Sequence, residues 1–238
     1  MNNTDFISDK YTEFITQLQL VCRHLTTTEK AINEIINSAE EKAHCNKISL
    51  GDVIMKDYSV LSPGQAKDRK EEVLGIVFQA EGDCIKLIAP EYAPAYRAFR
   101  EKPGLSPEDS LLCYDSVDKA LLDVKGKLNT EMAKNINDFS DEMYPAVSYC
   151  LNYSRFKSDK GNWYLPSLGE LHVISHYILD LNEVLKSSGF SALDNSWYLS
   201  STVTKSSGVF GIELYKDVVG VCSIVYLGRV LPCLSIKL

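Results

Sequence analysis

The sequence lacks the features that mark nucleic-acid-binding and membrane-spanning proteins. Its 238 residues carry 25 Lys and Arg against 32 Asp and Glu, a net charge of −7, without the basic stripe that a nucleic-acid surface requires. The longest apolar stretch, Val218–Gly228, is too short to cross a lipid bilayer. We therefore expect no nucleic-acid partner and no membrane span.

A secretory signal and paired cysteine motifs are also missing. No basic segment followed by an apolar run opens the chain, which predicts a cytoplasmic protein or one associated with a phage particle. The seven cysteines show no C-x-x-C spacing, which argues against zinc ribbons and thioredoxin-type chemistry. Most have apolar neighbours, so we expect reduced thiols that pack as small hydrophobic side chains.

Residues 1–46 are predicted to form an N-terminal helical segment, because neither Gly nor Pro occurs between Asp5 and Ala43. Side chains recur in alternating steps of three and four, the spacing of a coiled coil that joins several copies of a chain. This seam consists of Tyr11, Phe14, Leu18, Val21, Leu25, Thr28, Ile32, Ile35 and Ala39. The alternative is a helix pair packed on the domain behind, since Thr26 and Glu29 have the form of a capping box.

Residues 47–238 change to strands, turns and shorter helices. Strands are predicted at Ile48–Met55, Val73–Ala80 and Cys84–Ala89, with a loop at Ser62–Glu72 and an exposed irregular segment at Pro90–Pro107. Helices are predicted at Thr130–Tyr153 and Ser167–Lys186, the second beginning with a Ser167/Glu170 capping box. Further strands are predicted at Trp197–Ser201, Val209–Tyr215, Val218–Tyr226 and Val230–Ile236. This pattern predicts an α+β domain with two helices packed on a mostly antiparallel sheet.

Two short motifs resemble a known family. The first, residues 161–171, reads GNWYLPSLGEL, and the second, residues 197–202, reads WYLSST. Together they resemble the carboxy-terminal domain family of bacterial collagen-like proteins, which has a W-x-L-P-x-x-x-E-L helix start followed by a W-S-S-T strand. The sequence departs from that pattern where Tyr198 and Leu199 interrupt the second motif. It departs again at Leu231, where the family usually has arginine.

The resemblance covers most of residues 47–238 and implies a C-type-lectin-like fold. Calcium-dependent lectins of this fold use Glu-Pro-Asn or Gln-Pro-Asp and Trp-Asn-Asp motifs, which do not occur here, so no calcium-dependent sugar site is expected. The related formylglycine-generating oxidases use a closely spaced cysteine pair. Cys222 and Cys233 are eleven residues apart in apolar strands, so we expect no enzyme activity.

A histidine pair is the strongest metal signal in the sequence. His172 and His176 lie four residues apart on a predicted helix, where they share one face. A zinc site normally needs three or four protein ligands, and no third ligand is evident nearby. The sequence therefore predicts no metal site and no cofactor.

The C-terminal strands and loops remain as a surface for an unidentified protein or carbohydrate ligand. Alternation along one strand places Phe210, Ile212 and Leu214 towards the core and Glu213 and Tyr215 towards solvent. Tyrosines beside Ser, Thr and Gly are typical of a recognition surface, although a plain solvated edge has the same composition. The candidate binding residues are Thr204, Lys205, Ser207, Glu213, Tyr215, Asp217 and Tyr226.

These observations favour a non-enzymatic ligand- or receptor-binding protein with a lectin-like domain, surface-displayed or phage-associated. A structural protein that assembles into a larger particle is the alternative. A formylglycine-generating-type oxidase ranks third.

Light scattering on the intact chain and on a chain beginning at Asn46 tests the N-terminal seam. We expect the intact chain to be a homo-oligomer, because each buried seam side chain stabilises by roughly 1.5–3 kcal/mol and the spacing continues across Thr28. The shortened chain should be a monomer. Monomers in both cases would show that the helix packs on its own domain, and an oligomer that survives truncation would place the interface in residues 47–238.

Overall fold

The computed structural model of the chain describes residues 48–102 and 111–237. Helices and mostly antiparallel strands mix along this part of the chain, as the α+β prediction required. Residues Ser49–Leu238 constitute one compact unit. The helix or helix pair predicted over residues 1–46 lies outside the described residues and stays a prediction.

The strands form two larger sheets and one short ribbon. In chain order they are β1 (Val53–Met55), β2 (Val60–Leu61), β3 (Val73–Glu81), β4 (Cys84–Ile88), β5 (Arg97–Ala98), β6 (Cys113–Tyr114), β7 (Trp163–Tyr164), β8 (Trp197–Thr204), β9 (Gly208–Glu213), β10 (Val218–Ser223), β11 (Leu227–Gly228) and β12 (Cys233–Lys237). The six-stranded sheet is antiparallel in the order β2-β1-β3-β4-β12-β7. The four-stranded sheet has the order β10-β9-β8-β6, in which β6 and β8 are parallel. Strands β11 and β5 form the ribbon.

Local sequence signals begin and end the helices. These are α1 (Pro63–Ala66), α2 (Val117–Leu121), α3 (Gly126–Lys134), α4 (Pro145–Asn152), α5 (Leu168–His176) and α6 (Ile178–Ser187). The Ser116 side chain caps α2 by accepting a hydrogen bond from the backbone N–H of Lys119. The capping box of Ser167 and Glu170 begins α5, as predicted. Among the described residues, no helix is long and apolar enough to cross a bilayer.

Two predictions about local structure were wrong because helix-starting signals were missed. The loop predicted at Ser62–Glu72 is α1 followed by a 3-10 helix at Lys67–Glu72, since Ser62 and Gln65 form a capping box around Pro63. The helix predicted at Thr130–Tyr153 is two helices, α3 and α4. Proline lacks a backbone N–H that the first turn of a helix does not need, so Pro145 begins α4 instead of bending a longer helix.

Two further elements differ from the predictions. The helix predicted at Ser167–Lys186 is divided at Tyr177, whose ψ of 18° separates α5 from α6. The segment predicted as exposed, Pro90–Pro107, is described only as far as residue 102, and part of that stretch is buried. Ala93 and Phe99 are 0% and 1% exposed and belong to the hydrophobic core.

Two hydrophobic clusters meet at strands β8 and β9. The first lies between the six-stranded sheet and helices α5 and α6, and it includes Tyr198 and Phe210. The second gathers α4 and the segment before β5, and it includes Leu199 and Val209. Because successive residues of a strand point to opposite faces, β8 and β9 are covered on both sides over most of their length.

A buried carboxylate joins the start of α5 to the six-stranded sheet. Glu170 is 1% exposed, and its carboxylate accepts hydrogen bonds from Lys86 Nζ at 2.7 Å, Tyr164 Oη at 3.2 Å and the Ser167 backbone N–H at 2.9 Å. Gly126, at the start of α3, lies so close that a Cβ there would overlap this carboxylate. One side chain therefore connects strands β4 and β7 with helices α3 and α5.

Replacing Glu170 with glutamine tests this interaction. Glutamine can still complete a capping box, but Glu170→Gln leaves the Lys86 ammonium, whose side chain is only 16% exposed, without its counter-ion. We expect the free energy of unfolding, measured by urea denaturation, to fall by about 3 kcal/mol.

The matched control is Glu72→Gln. Glu72 pairs with Arg69 at 2.9 Å, and their side chains are 33% and 41% exposed. Breaking such a surface pair should cost much less than breaking the buried one, because solvent screens the two charges. Equal losses in the two variants would show that the Glu170 carboxylate does not hold the fold together.

Candidate functional site

The structure divides the seven predicted binding residues between opposite ends of strand β9. At one end of β9, Gly208 pairs with Ser223 of β10. At the other end, Glu213 pairs with Val218. The first group, near the β8–β9 turn and beyond β10, contains Thr204, Lys205, Ser207 and Tyr226. The second group, at and beside the β9–β10 turn, contains Glu213, Tyr215 and Asp217. The structure therefore does not bring the seven residues together in one surface.

A groove of about 560 Å³ opens beside the β8–β9 turn. It contains two of the predicted residues, the buried Thr204 and the exposed Lys205. We call it the end groove; it is lined by Tyr114, Asp115, Ser116, Val117, Thr204, Lys205, Ser206, Phe210 and Val221. Apolar side chains and hydrogen-bonding groups thus share one concave surface.

The other wall of the end groove comes from a distant part of the sequence. Strand β6 runs parallel to the end of β8, with Tyr114 opposite Thr204. The chain then enters α2, capped by Ser116, so Asp115 and Val117 lie beside the β8–β9 turn. Sequence reasoning missed these residues, because a two-residue parallel pairing over such a separation leaves no local pattern.

Both signs of charge are present at the rim of the end groove. Asp115 lies 3.0 Å from Lys119, whose hydrogen bond lowers the pKa of the Asp115 carboxyl, and Lys205 lowers that pKa further. Asp115 is therefore ionised at neutral pH. Burial raises the pKa of Tyr114, as does the nearby Asp123 carboxylate, so the Tyr114 hydroxyl remains protonated.

The second group of predicted residues is held by contacts within the chain. The Tyr215 hydroxyl donates to the Leu193 carbonyl at 3.1 Å and accepts from Asn182 Nδ2 at 2.6 Å. Glu213 pairs with Lys216 at 2.7 Å. The ring of Tyr215 is 41% exposed, but its polar atom is occupied. These contacts favour a structural role for Tyr215 and Glu213.

Asp217 contacts the histidine-bearing helix. Its Oδ1 lies 3.0 Å from His172 Nδ1 and 2.9 Å from Ser175 Oγ. This contact has no signature in the sequence, because Asp217 is in the β9–β10 turn and the histidines are on α5. The structure thus places a third side chain of a type that can bind metal beside His172 and His176.

The polar residues of the WYLSST motif form a buried hydrogen-bond network. The register of β8 with β9 is broken between Leu199 and Val203, and the intervening side chains are directed into the protein. Thr202 Oγ1 donates to Asp123 at 2.8 Å and accepts from the Leu168 backbone N–H at 2.8 Å. Ser200 Oγ donates to the Phe210 carbonyl at 2.7 Å, a side-chain-to-backbone bond that a serine in a strand can form. The motif therefore docks α5 on the sheet.

A second cavity, of about 530 Å³, surrounds Arg229. Arg229 Nη2 pairs with Asp194 at 2.6 Å, and the guanidinium lies over the rings of Tyr92 and Tyr96 at 4.9 and 4.3 Å from their centroids. Sequence reasoning did not select these residues. The tyrosines within the Pro90–Pro107 segment were the available signal, but Arg229 is more than a hundred residues away from them in the sequence.

Cys222 and Cys233, considered as a possible oxidase pair, belong to different sheets. Cys233 is fully buried, and burial raises the pKa of its thiol well above the usual value. Burial also raises the pKa of Cys222. Since the thiolate is the reactive form, these two side chains lack the setting of a reactive cysteine pair.

The fold is similar to that of a fimbrial protein from Bacteroides ovatus. The TM-score is 0.65 at 16% sequence identity, and the match covers 79% of this chain and 49% of the fimbrial protein. This chain therefore spans about half the length of that protein. At this identity the likeness concerns the fold alone. No family model and none of the curated proteins matches the chain.

Proposed function

We propose that the chain is a non-enzymatic binding protein with a lectin-like domain, and that the end groove is its ligand site. The observation that supports this proposal is the shape and lining of the groove. Its volume of about 560 Å³ is within the range of small-ligand sites. Such sites combine apolar contact area with a few polar groups that fix the ligand's orientation.

The end groove offers contacts suited to a polar, partly apolar ligand. The partly exposed Tyr114 supplies aromatic surface, and the exposed Val221 extends the apolar area. The Asp115 carboxylate accepts hydrogen bonds, and the exposed Lys205 ammonium donates them. A carbohydrate chain matches this lining, because its hydroxyls meet the rim and its C–H faces meet the aromatic surface.

Binding of the intact chain to a glycan array, followed by calorimetry with the best-bound oligosaccharide, tests the proposal. Lys205→Ala should weaken binding about tenfold, because a hydrogen bond from a charged group contributes about 1.5–3 kcal/mol. Val221→Ser should also weaken it through lost apolar contact.

Matched controls lie at the other end of the same strands. Lys216→Ala and Val218→Ser make the same chemical changes at exposed positions outside the end groove. They should leave the affinity unchanged. The proposal fails if no glycan binds, or if the control variants weaken binding as much as the groove variants.

Assembly into a fimbria-like structure is the second candidate function. The likeness of fold to a fimbrial protein supports it, as does strand β10. Within the described part of the chain, β10 is an edge strand, and Val218 and Val221 are 49% and 52% exposed. Edge strands usually carry charges that prevent pairing, and β10 (VVGVCS) has none. It could therefore pair with a strand of a second copy.

Concentration-dependent light scattering on the intact chain tests this assembly. Val218→Lys should reduce higher-order association, because a lysine on an edge strand opposes strand addition. Leu179→Lys is the control, since Leu179 is 71% exposed and belongs to α6, not to an edge strand. Equal association of Val218→Lys and the unmodified chain would exclude assembly through β10.

A further inference from the structure

His172, His176 and Asp217 lie close together at the end of β9 opposite the end groove. The two histidines occupy successive turns of α5, and their ring centroids are 4.4 Å apart. Asp217 approaches them from the β9–β10 turn. One potential ligand atom from each residue lies within 4.8 Å of the others. We propose that these three side chains form a Zn²⁺ site.

The spacing of the ligand atoms fits a small tetrahedral ion. Zinc bonds of about 2.0–2.2 Å to histidine nitrogen and carboxylate oxygen place two ligand atoms about 3.3 Å apart. His172 Nδ1 and Asp217 Oδ1 are already 3.0 Å apart. The ligand atoms of all three residues lie within 4.8 Å of one another, so small adjustments of exposed side chains bring them to zinc-bonding distance.

Polar contacts orient two of the three proposed ligands, His176 and Asp217. His176 Nδ1 lies 2.9 Å from the His172 carbonyl oxygen, which can only accept a hydrogen bond. Nδ1 therefore carries the proton in the neutral imidazole, and Nε2 presents its lone pair. Ser175 Oγ lies 2.9 Å from Asp217 Oδ1 and 2.7 Å from the Leu214 carbonyl oxygen, so these two acceptors beside the site share its single proton. The neighbouring Lys216 pairs with Glu213 at 2.7 Å, so its ammonium is directed to a different carboxylate.

The chemistry of the three ligands selects the class of ion. Two imidazoles and one carboxylate suit zinc, whereas calcium and magnesium prefer sites made of oxygen. Three protein ligands leave the fourth tetrahedral position for water or for a donor from another molecule. Because one ligand comes from the β9–β10 turn and two come from α5, the ion would also link these elements.

Zinc titration of the intact, chelator-treated chain by calorimetry tests the site. We expect one equivalent to bind, and we expect His176→Gln and Asp217→Asn each to lower the affinity at least about tenfold. Asparagine tolerates the left-handed backbone at Asp217, where φ is 52°, so this variant should fold. Circular dichroism checks that both variants are folded. Calcium and magnesium should not bind.

The chain offers a matched control among its four histidines. Replacing His24 and His44 with glutamine should leave the zinc affinity unchanged. Cobalt bound in place of zinc should give a tetrahedral visible spectrum without a thiolate charge-transfer band, which separates this site from the cysteines. The proposal is overturned if zinc does not bind, if the two site variants bind as tightly as the unmodified chain, or if cobalt reports thiolate ligands.

Discussion

The fold depends on one buried carboxylate at the beginning of a helix. Glu170 completes the capping box of α5, neutralises Lys86 from the six-stranded sheet and accepts the Tyr164 hydroxyl hydrogen. A carboxylate that is 1% exposed is tolerated only when it is paired and hydrogen-bonded, so these elements must meet in one arrangement. Gly126 packs against the same group because a larger side chain would not fit.

That arrangement determines which parts of β8 and β9 are covered. Once α5 is docked, hydrophobic clusters cover both faces of β8 and β9. At the break in β8, the side chains of Thr202 and Ser200 donate their hydrogen bonds inside the protein, to Asp123 and to the Phe210 carbonyl. Within the described residues, the parts of the four-stranded sheet that remain accessible are the two ends of these strands and the β10 edge. The end groove lies at one end, and the His172–Asp217 cluster lies at the other.

Much of the local structure could be predicted from the sequence. The strands predicted at Val73–Ala80 and Cys84–Ala89 are correct to within one residue, and Gly82, at a φ of 57°, lies in the turn that joins them. The Ser167/Glu170 spacing located the start of α5. Two of the errors occurred at prolines, because proline is common both where a helix is interrupted and where a helix begins. Pro145 lies inside the helix predicted at Thr130–Tyr153, but it begins a separate one. Pro63 was assigned to a loop, although Ser62 caps a helix that starts there.

The candidate sites were only partly predictable, for a different reason. Lys205 and Thr204 could be named because turn residues beside a strand are visible in sequence, but Tyr114 and Asp115 reach them through a parallel pairing with no local signature. His172 and His176 share a helix face that sequence spacing determines. Asp217 joins them only because α5 packs beside the β9–β10 turn. The sequence by itself determined the caps, the turns and the histidine pair, since these depend on neighbouring residues. Tertiary structure alone decided which distant carboxylates complete the sites, because burial and strand pairing depend on the whole folded chain.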